Sequence, residues 1–359
     1  MGRSRKKKKI PSEVDKGVSR NIQKVADRLF GDTAEREAFL KALTQGASQR
    51  AIAWLIEGSP RLGNEFGSLP KAEWAPSFVD VTDPEKRPGA SDAHERGDFY
   101  CLDLSSVFAC APLQLLPLNP DLLVDMCAAP GGKGIVGWRM LKPRVILGNE
   151  VIRKRTAQLI SNYKRCSIQP AAVGSSDPKF LAETIPDTAD VVIVDAPCSG
   201  QSLVAKDLAA PGAFHPATIS ANAQRQRRIL ANSSVVVAAG GYLLYSTCTF
   251  SPEENEETLE WFLRRFSSFQ AVEVPCLQGH RSKLSERSCY RLLPHEGFGA
   301  GAFCALLKRE GEKVESGIFS LERLAESIYC LWRSDNVLPI HRAISDTNSL
   351  HRKSRYRRG

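Results

Sequence analysis

Two cysteines of this chain lie in short polar motifs, and each motif follows a strongly apolar segment. Cys198 lies in the motif Asp-Ala-Pro-Cys-Ser-Gly that begins at Asp195, and Cys248 lies in Tyr-Ser-Thr-Cys-Thr, residues 245–249. We expect the apolar segments to be neighbouring parallel strands, whose carboxyl ends form the ligand-binding edge of a sheet. The cysteines are then an ordinary buried pair, a redox pair, or two reactive thiols that face one crevice beside the carboxyl group of Asp195.

Two thiols beside an acid suit one demanding type of methyl transfer. Carbon 5 of cytosine is a poor nucleophile towards a sulfonium methyl group. Addition of a thiolate at carbon 6 converts the ring to an enamine and makes carbon 5 nucleophilic, which is covalent catalysis. A carboxylic acid can donate to ring nitrogen 3 during this addition. After methyl transfer, a base removes the proton on carbon 5 and the thiol is eliminated.

A cofactor site is predicted in residues 122–134, Leu-Leu-Val-Asp-Met-Cys-Ala-Ala-Pro-Gly-Gly-Lys-Gly. The pattern indicates a buried strand, a tight turn and then a helix, which together form a nucleotide-binding crevice. A P-loop is disfavoured because Gly134 follows Lys133 where Ser or Thr is needed, and the Gly-x-Gly-x-x-Gly motif of dinucleotide sites is absent. S-adenosylmethionine requires an acid for its ribose hydroxyls, and Glu150 lies 25 positions after Asp125. A purely structural glycine turn is the alternative.

The segment from residue 122 to residue 308 alternates predicted strands and helices. Apolar strands are expected at 122–126, 145–150, 171–175, 191–195 and 241–246, with helices at 151–165, 178–185 and 216–239. Such apolar strands are typical of a parallel sheet buried on both faces. Two further strands, at 270–275 and 303–308, are expected to pair at the sheet edge. We therefore predict an α/β, Rossmann-like methyltransferase fold with a mostly parallel seven-stranded sheet and helices on both faces.

The flanking segments are less regular. Helical spacing of apolar residues predicts helices within residues 21–57, including 51–55, and another helix over 310–333. Residues 58–97 are rich in Gly, Pro, Ser and charge and predict a linker or an irregular substrate-facing segment. Residues 99–106 lead into an apolar helix that ends near residue 116. The expected organisation is a basic disordered tail (1–20), an N-terminal helical or irregular segment with possible RNA contacts (21–97), a catalytic domain (98–309), and a C-terminal helix with a basic tail (310–359).

The charge of this 359-residue chain, +9 overall, is concentrated at its ends. Residues 1–9 carry six basic residues and residues 351–359 carry five, without an acid in either run. Such tails contact nucleic-acid phosphates or serve only solubility. No apolar run of membrane-spanning length and no signal segment is present, which favours a soluble, cytoplasmic protein. The ten cysteines include no Cys-x-x-Cys motif, so we expect reduced thiols and no metal site.

Taken together, the motifs resemble those of the Sun-type RNA (cytosine-5) methyltransferases, the family of the RsmB and RsmF enzymes. The resemblance covers about residues 98–308. It is carried by the 125–133 turn, Asn149-Glu150 with Arg155, Asp177, the two cysteine motifs, Pro-Glu-Glu-Asn-Glu at 252–256, and Gly-Ala-Phe at 301–303. The departures are Ser202 in place of a second glycine, an atypical loop at 206–211, and Gly-Ala-Phe in place of Gly-Phe-Phe.

The resemblance implies a role for each matching residue. Cys248 would be the nucleophile, Cys198 would assist product release, and Asp195 would contact the target cytosine. The cofactor, S-adenosylmethionine, would be bound by the following residues: Cys127, Ala128, Ala129, Pro130, Gly131, Gly132 and Lys133 at the methionine and ribose, Glu150 at the ribose hydroxyls, Asp177 at the adenine amino group, and Arg155 and Asp195 nearby.

The expected function is methylation of carbon 5 of cytosine in structured RNA by a monomeric enzyme. Ribosomal RNA is the first expected substrate and transfer RNA the second, with no membrane partner. The target base must be unpaired or flipped, since carbon 6 is shielded in a stacked helix. One alternative is a catalytically silent RNA-binding or ribosome-assembly protein. Another is a DNA cytosine-5 methyltransferase, which would place its nucleophile in the Pro-Cys motif.

Overall fold

The computed structural model describes residues 18–56, 65–67, 69–312, 318–319, 325–326, 328–334 and 340–341. The basic runs 1–9 and 351–359 lie outside these residues. At the end of the expected disordered tail 1–20, Ser19 and Arg20 are described and begin a helix. The described strands are β1 (Arg50–Trp54), β2 (Val79–Val81), β3 (Phe99–Asp103), β4 (Leu122–Asp125), β5 (Val145–Asn149), β6 (Ala171–Gly174), β7 (Ala189–Asp195), β8 (Val237–Thr247), β9 (Phe269–Ala271), β10 (Tyr290–Leu292), β11 (Ala302–Arg309), β12 (Ile318–Phe319), β13 (Cys330–Arg333) and β14 (Ile340–His341).

The described α-helices are α1 (Arg20–Leu29), α2 (Thr33–Gln45), α3 (Asp92–Glu95), α4 (Leu104–Cys110), α5 (Gly132–Leu141), α6 (Arg153–Arg165), α7 (Pro178–Thr184), α8 (Pro216–Val236) and α9 (Glu256–Arg265). Several begin at a residue whose side chain accepts from the first turn. Ser19 caps α1, Asp32 caps α2 and Asp103 caps α4. Such caps satisfy backbone N–H groups that have no partner within the helix. No helix among the described residues is long and apolar enough to cross a membrane.

The central sheet has the strand order β10-β11-β8-β7-β4-β5-β6-β13, with β9 also paired to β11. Strands β8, β7, β4, β5 and β6 are mutually parallel, whereas β11 and β13 run antiparallel to their neighbours at the two sides. The predicted α/β fold with a mostly parallel core is confirmed. The predicted pairing of the two late strands is also confirmed, since β9 pairs with β11. The predicted count of seven strands was wrong, because β10 and β13 also join the sheet and give it nine described strands.

Both faces of the parallel strands are buried, because successive side chains of a strand point to opposite faces. Leu123 and Ile193 belong to the apolar cluster on one face, together with α4 and α5 residues. Leu122, Val124 and Val192 belong to the cluster on the other face, with residues of α8 and α9. This double burial explains why these strands are continuously apolar in the sequence.

Two predictions for the flanking segments were wrong. Residues 51–55, expected to be helical, lie largely in β1, which pairs antiparallel with both β2 and β3. Residues 330–333, the end of an expected helix, form β13 and extend the central sheet beside β6. Apolar spacing alone does not distinguish a short strand from a helix when its partners are distant in sequence. Within the segment 58–97, expected to be irregular, β2 and α3 are formed.

Candidate active site

The two cysteines meet at the carboxyl ends of two neighbouring strands. β7 and β8 are parallel, and their register pairs Asp195 with Ser246, so the loops that follow them leave the sheet side by side. The Sγ atoms of Cys198 and Cys248 lie 3.1 Å apart although 50 positions separate the residues. All ten cysteines, these two included, are free thiols. The expectation that both thiols face one crevice is confirmed.

The surroundings of the two thiols make them chemically different. The hydrogen bond from Cys198 lowers the pKa of Cys248, and the ammonium groups of Lys133 and Lys206 lower it as well, against burial and the charge of Asp195. The same thiol–thiol contact, together with burial, raises the pKa of Cys198 well above its usual value. Since the thiolate is the nucleophilic form of cysteine, the electrostatics favour Cys248 as the nucleophile and Cys198 as a hydrogen-bond donor.

A charged pair lies beside the thiols. Lys133 Nζ donates to Asp195 Oδ2 at 2.7 Å, and Ser246 Oγ donates to the other carboxylate oxygen at 3.1 Å. Burial lowers the Lys133 pKa, but the charge of Asp195, the hydrogen bond to it and the nearby thiols of Cys110 and Cys248 together outweigh burial, and the net pKa is raised. The side chain of Asp195 remains 33% exposed. The pair is therefore ionic and also accessible to a ligand.

The predicted cofactor turn folds as the sequence indicates. β4 ends at Asp125, and α5 begins at Gly132 directly after Gly131, which has a left-handed φ of 118°. An added Cβ at Gly131 would lie 3.2 Å from Leu159. The left-handed φ and the nearby Leu159 side chain therefore both favour glycine, which has no Cβ. The turn is packed against α6 on one side and is open to a cavity on the other.

The cavity has a volume of about 430 Å³ and joins the turn to the thiols. Predicted site residues in its lining are Cys127, Ala128, Ala129, Pro130, Gly132, Lys133, Arg155, Asp195, Cys198 and Cys248. The lining also includes residues that the sequence analysis did not single out for the site, among them Tyr100, Asp103, Leu203 and Lys206. The structure therefore brings most of the predicted cofactor and catalytic residues to one cavity.

Asp125 is an ionisable group in the cavity wall with 1% exposure. Burial and the nearby charge of Asp195 raise the Asp125 pKa to about 7, against the lowering effect of Lys133. Its Oδ1 is buried without a hydrogen-bond partner among the described residues. At Gly134, a Cβ would come within 2.7 Å of its Oδ2. A buried acceptor is therefore left for a polar ligand, and the adjacent glycine keeps its surroundings open.

Glu150 and Arg155 connect the second parallel strand to the cofactor turn. Glu150 is 3% exposed, and its Oε1 accepts from Ile152 N at 2.9 Å. Arg155 Nη1 lies 3.1 Å from Glu150 Oε2, an ion pair without hydrogen-bond geometry, and Arg155 Nη2 donates to the carbonyl of Ala129 at 2.6 Å. Arg155 thereby ties the predicted ribose-binding acid to the turn, although Glu150 itself is not part of the cavity lining.

Besides Glu150, two predicted cofactor residues lie outside the cavity lining. Asp177 is exposed and caps α7, with its Oδ1 accepting from Lys179 N at 2.9 Å. Gly131 packs behind the turn against Leu159. The helix-capping role explains an aspartate at position 177 without any ligand, so its contact with the adenine stays a prediction.

The residues fit an S-adenosylmethionine molecule in three respects. The turn of residues 127–133 presents small side chains to the cavity, which leaves room for a ligand along the backbone. Asp125 and Glu150 supply buried carboxylate oxygens that lack hydrogen-bond partners among the described residues. The far end of the cavity reaches Cys248, so a ligand along the turn and a target base at the thiols would share one space.

The solved structures that this chain resembles share its fold. A methyltransferase homologue from Pyrococcus horikoshii has a TM-score of 0.64 and 21% identity, with 81% of this chain and 100% of that chain covered. The structure of NSun6 from Pyrococcus horikoshii with SFG has a TM-score of 0.64 and 20% identity, with 82% of this chain and 99% of that chain covered. At these identities the likeness concerns the fold alone.

Curated relatives match the chain more closely in sequence. Ribosomal RNA small subunit methyltransferase F of Cronobacter sakazakii is 32% identical over 249 residues, which are 67% of this chain and 52% of the relative. The corresponding protein of Klebsiella pneumoniae is 34% identical over 187 residues, 52% of this chain and 39% of the relative. The chain thus spans about half the length of the curated relatives it matches, or less.

The family described as 16S rRNA methyltransferase RsmB/F matches residues 112–308, more than half of the chain. The chain belongs to this family.

Proposed function

We propose that this protein transfers a methyl group from S-adenosylmethionine to carbon 5 of a cytosine in structured RNA. Ribosomal RNA is the proposed substrate, with transfer RNA the second candidate. The observation that carries the proposal is the 3.1 Å pair of Cys198 and Cys248 in the cavity that the residue 127–133 turn also lines. The curated relatives, named as ribosomal RNA methyltransferases, support the choice of RNA.

The first chemical step uses the thiolate of Cys248. Its Sγ attacks carbon 6 of the cytosine, the electrons of the C5–C6 double bond move towards ring nitrogen 3, and an enamine forms. The Lys133–Asp195 pair, with one ammonium group and one carboxylate at 2.7 Å, lines the same cavity, and we expect it to supply and hold the proton at nitrogen 3. S-adenosylmethionine, held by residues 127–133 with Glu150, supplies the electrophilic methyl group when bound.

The second step uses the thiol of Cys198. Carbon 5 of the enamine would first take the methyl group, leaving the donor sulfur as a neutral thioether. A base, for which water in the cavity can serve, then takes the proton on carbon 5, and the C5–C6 double bond is restored as the bond between carbon 6 and sulfur breaks. The Cys198 thiol lies 3.1 Å from the departing Sγ and donates a hydrogen bond to the thiolate that is released. The raised pKa of Cys198 keeps it protonated and therefore suited to this task.

The test is methylation of RNA with a labelled methyl donor, followed by bisulfite sequencing. The wild-type chain should methylate ribosomal RNA, or else transfer RNA, at cytosine. Cys248→Ala should abolish both methylation and any covalent RNA adduct. Cys198→Ala should form an adduct that persists through denaturing electrophoresis, and the double variant should form none.

Three results would contradict the proposal in different ways. An adduct in Cys248→Ala together with none in Cys198→Ala would exchange the roles of the thiols and indicate the DNA-type arrangement. RNA binding without methylation by the wild-type chain would support a catalytically silent RNA-binding protein. Methylation that survives Cys248→Ala would exclude the covalent mechanism.

A further inference from the structure

The acidic segment 252–256 has so far no role in the chemistry, although it follows the Cys248 motif directly. Glu254, at its centre, is fully buried. Burial raises the pKa of Glu254, whereas hydrogen bonds from Ser199, Gln226 and Thr249 lower it. A buried carboxylate costs free energy unless donors surround it, so the identity of those donors indicates what the group is for.

The donors to Glu254 come from both cysteine loops. Ser199, the residue after Cys198, donates its backbone N–H to Oε2 at 2.8 Å and its hydroxyl to Oε1 at 2.5 Å. Thr249, the residue after Cys248, places Oγ1 3.4 Å from Oε1. The two hydroxyl oxygens are 2.7 Å apart. Because the Ser199 proton is directed to the carboxylate, the single Thr249 proton is shared between Ser199 Oγ and Glu254 Oε1.

A third connection fixes the carboxylate to the neighbouring helix. Gln226 on α8 donates to Glu254 Oε2 at 2.9 Å and to the carbonyl of Pro197 at 3.1 Å. Tyr245 on β8 donates to the Glu254 backbone carbonyl. The carboxylate therefore accepts from both cysteine loops and from a helix, and these bonds leave it little freedom to move.

We propose that Glu254 is a positioning residue whose buried carboxylate clamps the Cys198 loop to the Cys248 loop and so sets the contact between the two thiols. The inference rests on the proposed function only in regarding these thiols as catalytic. Glu254 itself is not part of the cavity lining and makes no hydrogen bond to either sulfur. Its charge raises the pKa of Cys198, and its hydrogen bonds to neighbouring residues hold the two loops together.

The decisive variant is Glu254→Gln, examined without RNA. The glutamine side chain has the same size as glutamate. Its NH₂ group replaces one carboxylate oxygen, and this group cannot accept the hydrogen bonds that the oxygen accepted. The loops should separate and weaken the hydrogen bond from Cys198 to Cys248. Asp195, Lys133 and Lys206, the charged groups that act on Cys248, are unchanged in this variant. The charge of Glu254, which raises the pKa of Cys198, is lost in Glu254→Gln and kept in Ser199→Ala. The alkylation rate of Cys248 by iodoacetamide at pH 7, measured by mass spectrometry, should fall at least about threefold, as for a rise of about half a unit in pKa.

Two further variants make the result interpretable. Glu253→Gln changes the adjacent acid, whose Oε1 pairs with Arg28, and should leave the alkylation profile as in the wild type. Ser199→Ala removes the hydroxyl contacts with Glu254 and Thr249 and keeps the backbone N–H bond to Glu254. It should slow Cys248 alkylation in the same direction, and it decides the matter if Glu254→Gln does not fold.

An unchanged profile of Cys248 alkylation in folded Glu254→Gln, or in Ser199→Ala, would overturn the positioning role. Because this measurement needs no RNA and no methyl donor, it stands even if the chain fails to methylate RNA. Conversely, suppose that the wild-type chain methylates RNA while the variants show unaltered Cys248 alkylation. This pair of results would refute the positioning role and leave the proposed function intact.

Discussion

Replacing Lys133 with methionine removes a cation that acts on three ionisable groups. Lys133 pairs with Asp195 at 2.7 Å, lowers the pKa of Asp125, and lowers the pKa of Cys248. Methionine retains the length and the apolar part of the side chain. The change is therefore electrostatic, and its consequences should appear both in stability and in the reactivity of Cys248.

The magnitude follows from the geometry of the pair. At 2.7 Å, an effective dielectric constant of about 20 gives an attraction of about 6 kcal/mol. Removing one partner of a fully buried pair costs about 3–5 kcal/mol, because the other charge is left desolvated. Asp195 is 33% exposed, so water screens part of this cost. We expect a loss of about 2 kcal/mol in the free energy of unfolding, together with a raised pKa of Cys248.

Urea denaturation measures the first effect, and the pH dependence of Cys248 alkylation measures the second. Lys179→Met is the matched control, because Lys179 is 74% exposed and pairs only loosely, at 3.8 Å, with Glu183 on the same helix. It should change stability by less than about 0.5 kcal/mol. If Lys133→Met matched this control in stability and kept the alkylation profile of the wild type, the electrostatic description of the site would be wrong.

Further predictions concern the cofactor, the buried acid and the tails. Glu150→Ala should weaken S-adenosylmethionine binding at least tenfold, about 1.4 kcal/mol, and unchanged affinity in calorimetry would remove Glu150 from the site. The Asp125 pKa is about 7 in the folded chain against an ordinary 3.8. The unfolded chain therefore holds fewer protons between these values, and wild-type stability falls as pH rises, by up to about 4 kcal/mol. Asp125→Asn should lack that fall when denaturation is compared at pH 5 and pH 8, and an identical pH slope would contradict the assignment. Deleting residues 1–9 and 351–359 should weaken RNA binding and flatten its salt dependence while cofactor affinity stays constant; an unaltered salt slope would assign the tails to solubility.

The parallel core could be predicted because its signal is local. Each strand from β4 to β8 contains a continuous apolar run. In the strand–turn–helix unit at residues 122–141, glycines mark the position of the turn. The flanks could not be predicted in the same way. β1 has the apolar spacing of a helix, and it becomes a strand because Ala51 pairs with Val81 and Leu102, which lie far along the chain. Pairing between strands that are far apart in the sequence cannot be recognised from the residues of one short segment.

The site shows the same division between local and distant information. The turn and both cysteine motifs were found because their residue types are unusual for a core. Lys206 and Asp103 were not, since one belongs to an atypical loop and the other to a segment predicted only to lead into an apolar helix. Their ion pair, at 3.7 Å, forms across a sequence gap that no motif spans. Asp177 illustrates the converse, because an acid after a strand also serves as a helix cap.

The substrate side of the cavity is built in part from residues that precede the family match. That match begins at residue 112, yet Tyr100, Asp103 and Ser106 line the cavity with the thiols. Asp103 joins the N-terminal segment to the site, because it accepts from Ser48 Oγ at 2.7 Å and pairs with Lys206. β3, which ends at Asp103, is held in turn by β1 of that segment. The N-terminal segment therefore helps to position part of the cavity wall, and we expect differences there to alter which base can reach the thiols while the chemistry of the thiols stays the same.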